Sequence, residues 1–576
     1  MLFKHNCNPT RNACRTWQTA LLLAGCLCCN LAAEAKTADR PASFSAGTNE
    51  PTQVTIRPYA DGQEPFEGWG ISLCWWANMC GSWSEERIDS LVDWLVSPQG
   101  LNFRIFRYNI GGGDDPMNRN CTPHHMGKGK GLRAEMEGFK DHAEDDWHWE
   151  RDAAQRKIML KIKERRPDAI FEAFSNSAPY YMTVSGCCGG HRDALKDNLR
   201  PECYTEFARY LVDVCLHYRD KYGIEFKTLD PFNEPNTDYW YAGGSQEGCH
   251  FDFATQIAFL RVLHPILKAS GLKTVISASD ETSVMTSVEG FKAYHQAGIL
   301  PLVGQWNTHT YQANDEARAR LYALCREQGM HLWMSEVGAS GKGLDGNLAL
   351  AERLIQDMRL MRPAAWIDWQ YVEDNNDQWC LVQGDFYGGT QEFHRVKNYY
   401  VRQQFSRFMR EGYHFVETSE EHTLAAVSPG NDTLVVVSVN RAAHDRQMLA
   451  DMSGISRKGT KQKKARAYRT SGTENLAELP KGTIKTDKEK RLLFTVPSGS
   501  VLTLVIPLRM PPKPSPHTRQ GGREAGRQRM RKRIPTRNSC KSSAEAEKRC
   551  VLMVDFPSKT ITLRYCLTNK NRKGHD

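Results

Sequence analysis

Residues 331–372 read HLWMSEVGASGKGLDGNLALAERLIQDMRLMRPAAWIDWQYV and contain one complete strand–helix–strand repeat. Two short apolar runs, HLWMSE (331–336) and AAWIDWQYV (364–372), flank the segment NLALAERLIQDMRLM (347–361). The short runs are typical of buried strands, whereas the longer segment has the apolar spacing of an amphipathic helix. A repeat of this kind joins two parallel strands through a crossover helix. The stretch therefore predicts an α/β fold.

The same alternation of strands and helices extends back through the chain to residue 66. Eight predicted strands occupy residues 66–405, which is the number that a closed (β/α)8 TIM barrel requires. A doubly wound open sheet is the structural alternative. The remaining predicted strands are EGWGISL (67–73), FRIFRYNI (103–110), AIFEAFSNS (169–177), KTLDPFNE (227–234), KTVISASD (273–280) and VGQWNTH (303–309). Further helices are predicted over 84–96, with Ser84 as N-cap, over 153–165, over 202–223, with Gly223 as C-cap, and over 253–271 and 317–329.

The hydrophobic period changes from that of a helix to that of a strand after the barrel. Residues 406–508 contain alternating runs around Pro-Gly and Ser-Gly turns, which predicts a C-terminal β-sandwich fused to the barrel. The run QVTIRPY (53–59) also alternates, so the segment 36–65 is expected to join that sandwich from the other end of the chain.

The first 35 residues have the pattern of an export signal. Basic residues precede the apolar run TALLLAGCLCCNLAA (19–33), which is too short to span a bilayer and ends at an A-x-A cleavage site. The tetrapeptide LAGC (23–26) also resembles a bacterial lipobox, in which Cys26 carries the lipid. The first interpretation predicts a secreted or periplasmic protein, and the second a lipid-anchored protein of the cell envelope. Membrane contact is expected only if Cys26 is lipidated.

The excess of positive over negative charge lies in the C-terminal segment of the chain. The formal net charge is +9, but residues 511–576 hold 17 Lys and Arg against five Asp and Glu, so the remainder carries −3. We therefore expect no nucleic-acid partner for the folded body, and a disordered basic tail over 509–576. Ten cysteines lie in the body. An exported chain with ten cysteines is compatible with disulfide bonds, whose pairing the sequence does not determine.

Two glutamates lie at the carboxyl ends of predicted strands, which is where the functional side chains of a (β/α)8 barrel are found. Glu234 ends the fourth predicted strand and Glu336 ends the seventh. These strands lie across the barrel from each other, so both carboxylates can reach one bound sugar. Glycoside hydrolysis requires two carboxyl groups at one bond, one protonated and one ionised. A single Glu at a strand end is more often a salt-bridge partner, and it is the pair that indicates catalysis.

Polar and aromatic residues at the other strand ends complete the predicted site. Arg107, His309 and Tyr311 are predicted to contact the substrate, and they are also suited to keep one of the two carboxyl groups charged. Asn233 is expected to hydrogen-bond the 2-hydroxyl group of the sugar, a contact that strengthens in the transition state. Four further substrate contacts are predicted: Trp76 and Trp369, each either a stacking platform or a core residue, Asn78, and Glu373, either a sugar contact or a capping acid.

The motifs that surround these residues resemble one known family. The chain is similar to glycoside hydrolase family 30, above all to its endo-β-1,6-galactanase branch, over roughly residues 50–508. The resemblance rests on GWGISLCWWANMCG (68–81), FRYNIGGGDDP (106–116), EAFSNSAPYYMTVSG (172–186), PFNEPNTDYWYAGGSQEGCHFD (231–252), LWMSEVG (332–338) and VEDNNDQWCLV (372–382).

The resemblance implies a retaining glycosidase on a (β/α)8 barrel with a fused β-sandwich. It implies Glu234 as the acid/base and Glu336 as the nucleophile, with no metal or organic cofactor. The expected partner is a polysaccharide or glycoprotein glycan, and β-1,6-linked galactan, as in arabinogalactan side chains, is the expected substrate. Related branches act on β-1,6-glucan, xylan, glucosylceramide or β-fucosides, which remain alternatives. A non-catalytic glycan-binding protein is the alternative from a different functional class.

Overall fold

The computed structural model describes residues 50–113, 115, 117, 136–338, 341–374, 378–455 and 464–508. The predicted export signal at 1–35, with Cys26, and the basic tail at 509–576 lie outside these residues. Among the helices that the structure does describe, none is both long enough and apolar enough to cross a membrane.

The predicted (β/α)8 barrel is confirmed, because eight parallel strands close into one barrel. The last strand pairs with the first, with Trp366 beside Trp69. The strands are almost fully buried, since helices cover the outside of the barrel and side chains fill its interior. After β1 (Thr52–Arg57), which belongs to the second sheet, the barrel strands are β2 (Gly68–Ser72), β3 (Ile105–Asn109), β4 (Ile170–Phe174), β5 (Thr228–Asp230), β6 (Val275–Ser283), β7 (Gln305–Gln312), β8 (Leu332–Gly338) and β9 (Ala365–Trp369).

The helices follow the strands as the sequence predicts, with three additions. Ser84 accepts a hydrogen bond from the Arg87 backbone N–H at the start of one helix, and Gly223 ends another with a φ of 62°. The helices are α1 (Trp76–Cys80), α2 (Glu85–Val96), α3 (Ala153–Arg165), α4 (Tyr204–Tyr222), α5 (Phe253–Ala269), α6 (Val284–Gln296), α7 (Asp315–Gln328), α8 (Gly343–Gln356) and α9 (Lys397–Ser406). Short 3₁₀ turns cover Tyr180–Met182, Pro201–Cys203 and Leu300–Leu302, and a π-helical turn covers Asp357–Met361.

Three helices, α1, α6 and α9, were not predicted from the sequence, and α6 is the longest of them. It contains Gly290 and several β-branched or hydroxyl residues, which are poor helix formers. A Cβ at Gly290 would lie 3.0 Å from the Phe253 ring of α5, so the glycine permits close packing of the two helices. Tertiary packing and the Ser283 N-cap therefore outweigh the weak local propensity.

The second domain is a ten-stranded, mostly antiparallel arrangement that includes β1. The first half of β1 pairs in parallel with one strand, where Val54 lies beside Ala450, and its second half pairs antiparallel with another, where Ile56 lies beside Thr418. A small three-stranded sheet follows the barrel: β10 (Val372–Asp374), β11 (Val382–Gly384) and β12 (Phe393–Arg395). The remaining strands are β13 (His414–Thr418), β14 (Thr423–Val427), β15 (Thr433–Asn440), β16 (Arg446–Asp451), β17 (Arg466–Thr470), β18 (Ala477–Glu478), β19 (Lys485–Thr486), β20 (Leu492–Val496) and β21 (Ser500–Pro507).

The apolar core runs without a break from the barrel into this domain. The Phe66 ring lies 4.7 Å from that of Trp69 and 5.2 Å from that of Phe415. The Trp69 indole N–H donates to the Met409 carbonyl at 2.6 Å. The barrel is therefore packed on the second domain as one body, which holds the strand ends of the opposite face in fixed positions.

Cys187 is disulfide-bonded, whereas the other eight described cysteines form no disulfide bond. These eight side chains are buried, and burial raises the pKa of Cys215, Cys249 and Cys325. Expected disulfide bonds among these eight are therefore absent. The eight are Cys74, Cys80, Cys188, Cys203, Cys215, Cys249, Cys325 and Cys380.

Candidate active site

The two predicted carboxylates meet at the carboxyl end of the barrel. One polar atom each of Glu234, His309 and Glu336 lies within 4.8 Å of the other two. Glu234 is 9% exposed and Glu336 is 5% exposed, so only a small part of each residue is accessible to solvent. The barrel thus brings together residues that are 102 positions apart in the chain.

Glu336 is held from two sides. It lies within β8, and its Oε2 is 3.2 Å from the Arg107 Nη1 of β3. The Tyr311 hydroxyl donates to its Oε1 at 3.1 Å. A cation and a hydroxyl donor both favour the ionised form of the carboxyl group.

Glu234 lies in the loop after β5, where hydrogen bonds hold both its backbone and its side chain. The residue has a φ of 49°, in the left-handed region that costs a non-glycine residue about 1–2 kcal/mol. Its N–H donates to the Asp280 carbonyl at 2.9 Å, and its own carbonyl accepts from the Trp240 indole at 3.0 Å. The Glu234 carboxylate accepts from the Tyr239 hydroxyl at 2.6 Å and faces the His309 Nδ1 at 3.1 Å.

Asp280, in β6, connects the charged groups beneath the two glutamates. Its carboxylate accepts from the Arg107 Nη2 at 2.5 Å and from the Ser335 hydroxyl at 2.5 Å. The second nitrogen of His309, Nε2, lies 3.2 Å from the Asp280 Oδ1. Burial opposes ionisation of Asp280, but Arg107 and His309 hold its pKa well below the usual range. Asp280 is therefore a permanent anion at the base of the site.

His309 is a buried cation between these carboxylates. Burial alone would lower its pKa, but Asp280, Glu336 and the hydrogen bond to Glu234 raise it well above 6.5. With both ring nitrogens protonated, the imidazolium has no lone pair for a metal ion. The Glu234–His309–Glu336 cluster has the residue types of a metal site, but its protonation suits a proton-transfer site better.

The charges around the two glutamates do not fully neutralise Glu336. Arg107 and His309 are the cations, while Glu172 and Asp280 are carboxyl groups that already face Arg107 at 2.8 and 2.5 Å. Little positive charge is left for further carboxylates. Burial, together with the neighbouring Glu234 and Asp280, raises the pKa of Glu336 to about 7 against the opposing charges of His309 and Arg107.

Three predicted substrate contacts are corrected by the structure. The Trp76 side chain is fully buried, packs edge-on against Tyr371 and donates to the Ser72 carbonyl at 2.9 Å, so it has no face to offer a sugar. Arg107 and His309 are also fully buried, and both face carboxylates. They position and charge the two glutamates instead of contacting substrate.

The other predicted contacts lie where a substrate can reach them or next to the carboxylates. Trp369 is half-buried at the end of β9, with its ring 5.0 Å from that of Trp75. Asn233 precedes Glu234 and is 6% exposed. Asn78 is half-buried in α1, and Glu373 is buried in β10, where it accepts from the Asp374 N–H at 3.1 Å.

Three residues of the site were missed by sequence analysis. Asp280 ends the predicted strand 273–280, so the rule that located Glu234 and Glu336 also applies to it. Tyr239 lies in a long loop, where no periodicity marks a partner of Glu234. Glu172, which holds Arg107, lies inside a strand and resembles any buried residue of an alternating pattern.

The chain is similar in sequence to known glycoside hydrolases. The sequence model described as O-Glycosyl hydrolase family 30 matches residues 52–298. The chain is 32% identical over 417 residues to the endo-beta-1,6-galactanase of Hypocrea rufa, covering 69% of this chain and 83% of that protein. It is 26% identical to the exo-beta-1,6-galactobiohydrolase of Bifidobacterium longum, covering 57% of this chain and 28% of that longer protein.

Solved structures share the fold. A conserved exported protein from Bacteroides fragilis superposes with a TM-score of 0.66 at 20% identity, covering 79% of this chain and 100% of that one. The catalytic domain of the GH30 xylanase C from Talaromyces cellulolyticus superposes with a TM-score of 0.60 at 17% identity, with the same coverage. At these identities the likeness concerns the fold alone.

Proposed function

Since the chain belongs to O-glycosyl hydrolase family 30 and is a glycosidase, we propose that it cleaves β-1,6-linked galactan, as in arabinogalactan side chains, with retention of configuration. The substrate assignment is supported by the 32% identity to a protein named endo-beta-1,6-galactanase. The related substrates β-1,6-glucan, xylan, glucosylceramide and β-fucosides are the comparators against which it is tested.

The observation that carries the retaining mechanism is the short distance between the two carboxyl groups. An oxygen of Glu234 and an oxygen of Glu336 lie within 4.8 Å of each other. Retaining enzymes have carboxyl groups about 5 Å apart, whereas inverting enzymes need about 6.5–9.5 Å to hold a water molecule beside the sugar. The observed distance supports direct attack by one carboxylate.

The surroundings of each carboxylate support the division of roles. Glu336, beside Arg107 and Tyr311, attacks the anomeric carbon and forms a glycosyl ester. Glu234 gives its proton to the leaving oxygen as the glycosidic bond breaks. Water then attacks the anomeric carbon, Glu234 takes its proton, and Glu336 is released. The imidazolium of His309 lies 3.1 Å from one carboxylate and 3.8 Å from the other, and it stabilises whichever is ionised.

Two side chains at the site suit a pyranose. The Asn233 Oδ1 is buried and accepts no hydrogen bond from any residue that the structure describes, so a sugar hydroxyl can donate to it. Trp369 offers the half-buried ring on which a pyranose can stack. Asn78 and Glu373 remain proposed contacts.

The test of the proposed function is product analysis on β-1,6-galactan by proton NMR from the first turnovers. We expect β-anomers first, followed by slow mutarotation. Glu336→Gln protein prepared in parallel controls for a contaminating hydrolase. First products of α configuration would overturn retention, and preferential cleavage of β-1,6-glucan or xylan would overturn the substrate assignment.

We also propose that the protein is exported. The support is the signal pattern at 1–35, with lipidation of Cys26 as the alternative to simple cleavage. Mass spectrometry of the N-terminal peptide from expressing cells tests this. A start at Lys36 supports secretion, a diacylated Cys26 supports a lipid anchor, and an uncleaved Met1 would overturn export.

A further inference from the structure

The loop that carries Glu234 is anchored to β6 at two points. The Glu234 N–H donates to the backbone carbonyl of Asp280 at 2.9 Å. Two residues further along the loop, the Asn236 N–H donates to the Glu281 Oε2 at 3.2 Å. The first contact uses the main chain of β6, whereas the second depends on the identity of one side chain. Glu281 therefore holds one end of the short segment that contains the proposed acid/base.

The two anchors lie in an irregular part of β6. In the pairing of β6 with β7, Ser279 lies beside Asn307 and Glu281 lies beside Thr308, so Asp280 is the extra residue of a β-bulge. Bulges occur next to active sites, where they redirect a side chain or end the pairing of a strand. Here the bulge places two successive carboxyl groups beside the loop of the acid/base.

Glu281 is itself held by the two helices that follow β5 and β6. Its Oε1 accepts from the Gln256 Nε2 of α5 at 3.1 Å, and the Gln256 Oε1 accepts from the Tyr294 hydroxyl of α6 at 2.8 Å. All three side chains are fully buried. The Gln256 Nε2 also donates to the Phe251 carbonyl at 3.0 Å, and the Phe251 N–H donates to the Pro235 carbonyl at 2.9 Å. Hydrogen bonds thus join both helices to the loop at two successive residues.

Glu281 supplies a hydrogen-bond acceptor, not a charge, near neutral pH. Burial raises its pKa to about 8, against the lowering effect of the hydrogen bonds from Gln256 and from the Asn236 N–H. Below that pH the carboxyl group is neutral, so a glutamine at this position has the same charge and nearly the same shape. The effect of Glu281 on the site can therefore be separated from that of Asp280, which is an anion.

We propose that Glu281 is a positioning residue for the acid/base, which holds the segment 234–236 so that the Glu234 carboxyl group reaches the leaving oxygen. The inference rests on the proposed function, because it takes Glu234 as the acid/base. Proton transfer needs the carboxyl group within hydrogen-bond distance of that oxygen. A displacement of about 1 Å at a reacting group can cost about 10²-fold in rate. A buried contact two residues away from Glu234 is close enough to control this distance.

The experiment removes the acceptor and keeps the volume of the side chain. Glu281→Met removes both acceptor oxygens, whereas Glu281→Gln keeps one for the Asn236 N–H. Ser287→Ala is the matched control, because Ser287 is fully buried in α6 and its hydroxyl accepts from the Trp306 indole at 2.8 Å, a contact outside the loop. The substrates are β-1,6-galactotetraose, whose leaving sugar needs a proton, and β-1,6-galactobiosyl fluoride, whose fluoride ion leaves without one.

We expect Glu281→Met to lower kcat/KM on the tetraose about tenfold or more, mainly through kcat, and to leave kcat/KM on the fluoride within about twofold. Glu281→Gln and Ser287→Ala should keep both values within about threefold. If Glu281→Met does not fold, Gln256→Met removes the donor that fixes Glu281 and should give the same difference between the two substrates.

The outcomes separate this proposal from the proposed function. Equal losses on both substrates in Glu281→Met or Gln256→Met, or no loss on either, would overturn the positioning role while leaving the glycosidase intact. A selective loss on the tetraose in Ser287→Ala as large as that in Glu281→Met would overturn it too, because any buried contact would then have this effect. Failure of the unmodified enzyme to cleave either galactosyl substrate would overturn the proposed function, and with it the role of Glu281.

Discussion

Asp280 influences both glutamates although it contacts neither carboxyl group directly in the hydrogen bonds described above. It contacts Arg107 and His309, and its backbone carbonyl holds the Glu234 N–H. A single buried anion therefore holds the backbone of Glu234 and favours the charged form of His309.

Replacing Asp280 tests this role. In Asp280→Asn, burial should lower the pKa of His309, and a neutral His309 no longer lowers the pKa of Glu336. Loss of the Asp280 charge acts in the opposite direction on Glu336, but it is the smaller of the two effects. Because Glu336 must be ionised to attack, the acid limb of kcat/KM should move to higher pH by about one unit. The measurement is the pH profile on an aryl β-galactoside, with Ser335→Ala as the control that removes a hydrogen bond to Asp280 and keeps its charge. An unmoved limb in Asp280→Asn would show that Asp280 acts by shape alone.

The raised pKa of Glu336 gives a second prediction, on the acid limb itself. The pKa of Glu336 is raised to about 7, so kcat/KM should fall as pH decreases through neutrality. Removing the charge of Glu234 in Glu234→Gln lowers the pKa of Glu336, and the limb should move to lower pH. β-1,6-Galactobiosyl fluoride is the substrate, because it needs no general acid. A limb that moves to higher pH would contradict the assignment of the titrating group.

The two glutamates should differ sharply in what rescues their loss. Glu336→Gln should lose activity on every substrate. Glu234→Gln should lose about 10²–10⁴-fold on galactan but much less on the fluoride. Added azide should restore turnover to Glu234→Ala and give a β-glycosyl azide, detected by mass spectrometry and NMR. Formation of an α-glycosyl azide would contradict the assignment of Glu234 as the acid/base. Equal losses of activity in both variants on both substrates would show that the two glutamates do not have the separate roles assigned to them.

At the scale of elements, the ends of the last two barrel strands are packed against each other without spare room. Gly338 ends β8, two residues after Glu336. A Cβ there would lie 2.5 Å from the Trp369 carbonyl oxygen and 2.9 Å from the Trp379 ring. The glycine therefore allows Trp369, at the end of β9, to lie close to the strand that carries Glu336.

Gly338→Ala should displace Trp369 away from the site. Overpacking of this kind costs about 1–3 kcal/mol of stability, and displacement of Trp369 should raise KM for oligosaccharides. Thermal unfolding and steady-state kinetics measure the two effects. Gly472→Ala is the control, since a Cβ there meets nothing within 4 Å. Unchanged Tm and KM in Gly338→Ala would mean that the strand ends can relax.

Element prediction from sequence succeeded where local pattern and tertiary packing agree. All eight barrel strands and both sequence-predicted helix caps are present. Helix α6 was missed because its propensity is weak and its glycine serves the packing against α5. The strand-end rule found both glutamates, but Tyr239 lies outside any strand and carried no such signal.

At the scale of the whole molecule, one apolar cluster extends from the barrel into the second domain, and β1 packs Val54 and Ile56 into a second cluster inside that domain. β1 lies between β13 and β16 in the sheet order, so its removal splits the arrangement of strands.

Truncation before β2 should therefore destabilise the whole body. A chain that begins at residue 66 loses β1 and its buried Val54 and Ile56, and should unfold several degrees lower or aggregate. A chain that begins at Glu50 is the control and keeps the strand. Calorimetry measures both, and equal Tm values would show that β1 is dispensable.

The sequence by itself determined the barrel, the second sheet and the positions of Glu234 and Glu336, because hydrophobic period and strand ends are local properties of the chain. The tertiary structure decided the burial, the contacts and the protonation of these residues. It buried Trp76 in the core, placed Asp280 under both glutamates and anchored the loop of Glu234 to Glu281. Exposure, pKa and hydrogen bonding depend on neighbours that are distant in the chain, and only the closed barrel brings those neighbours together.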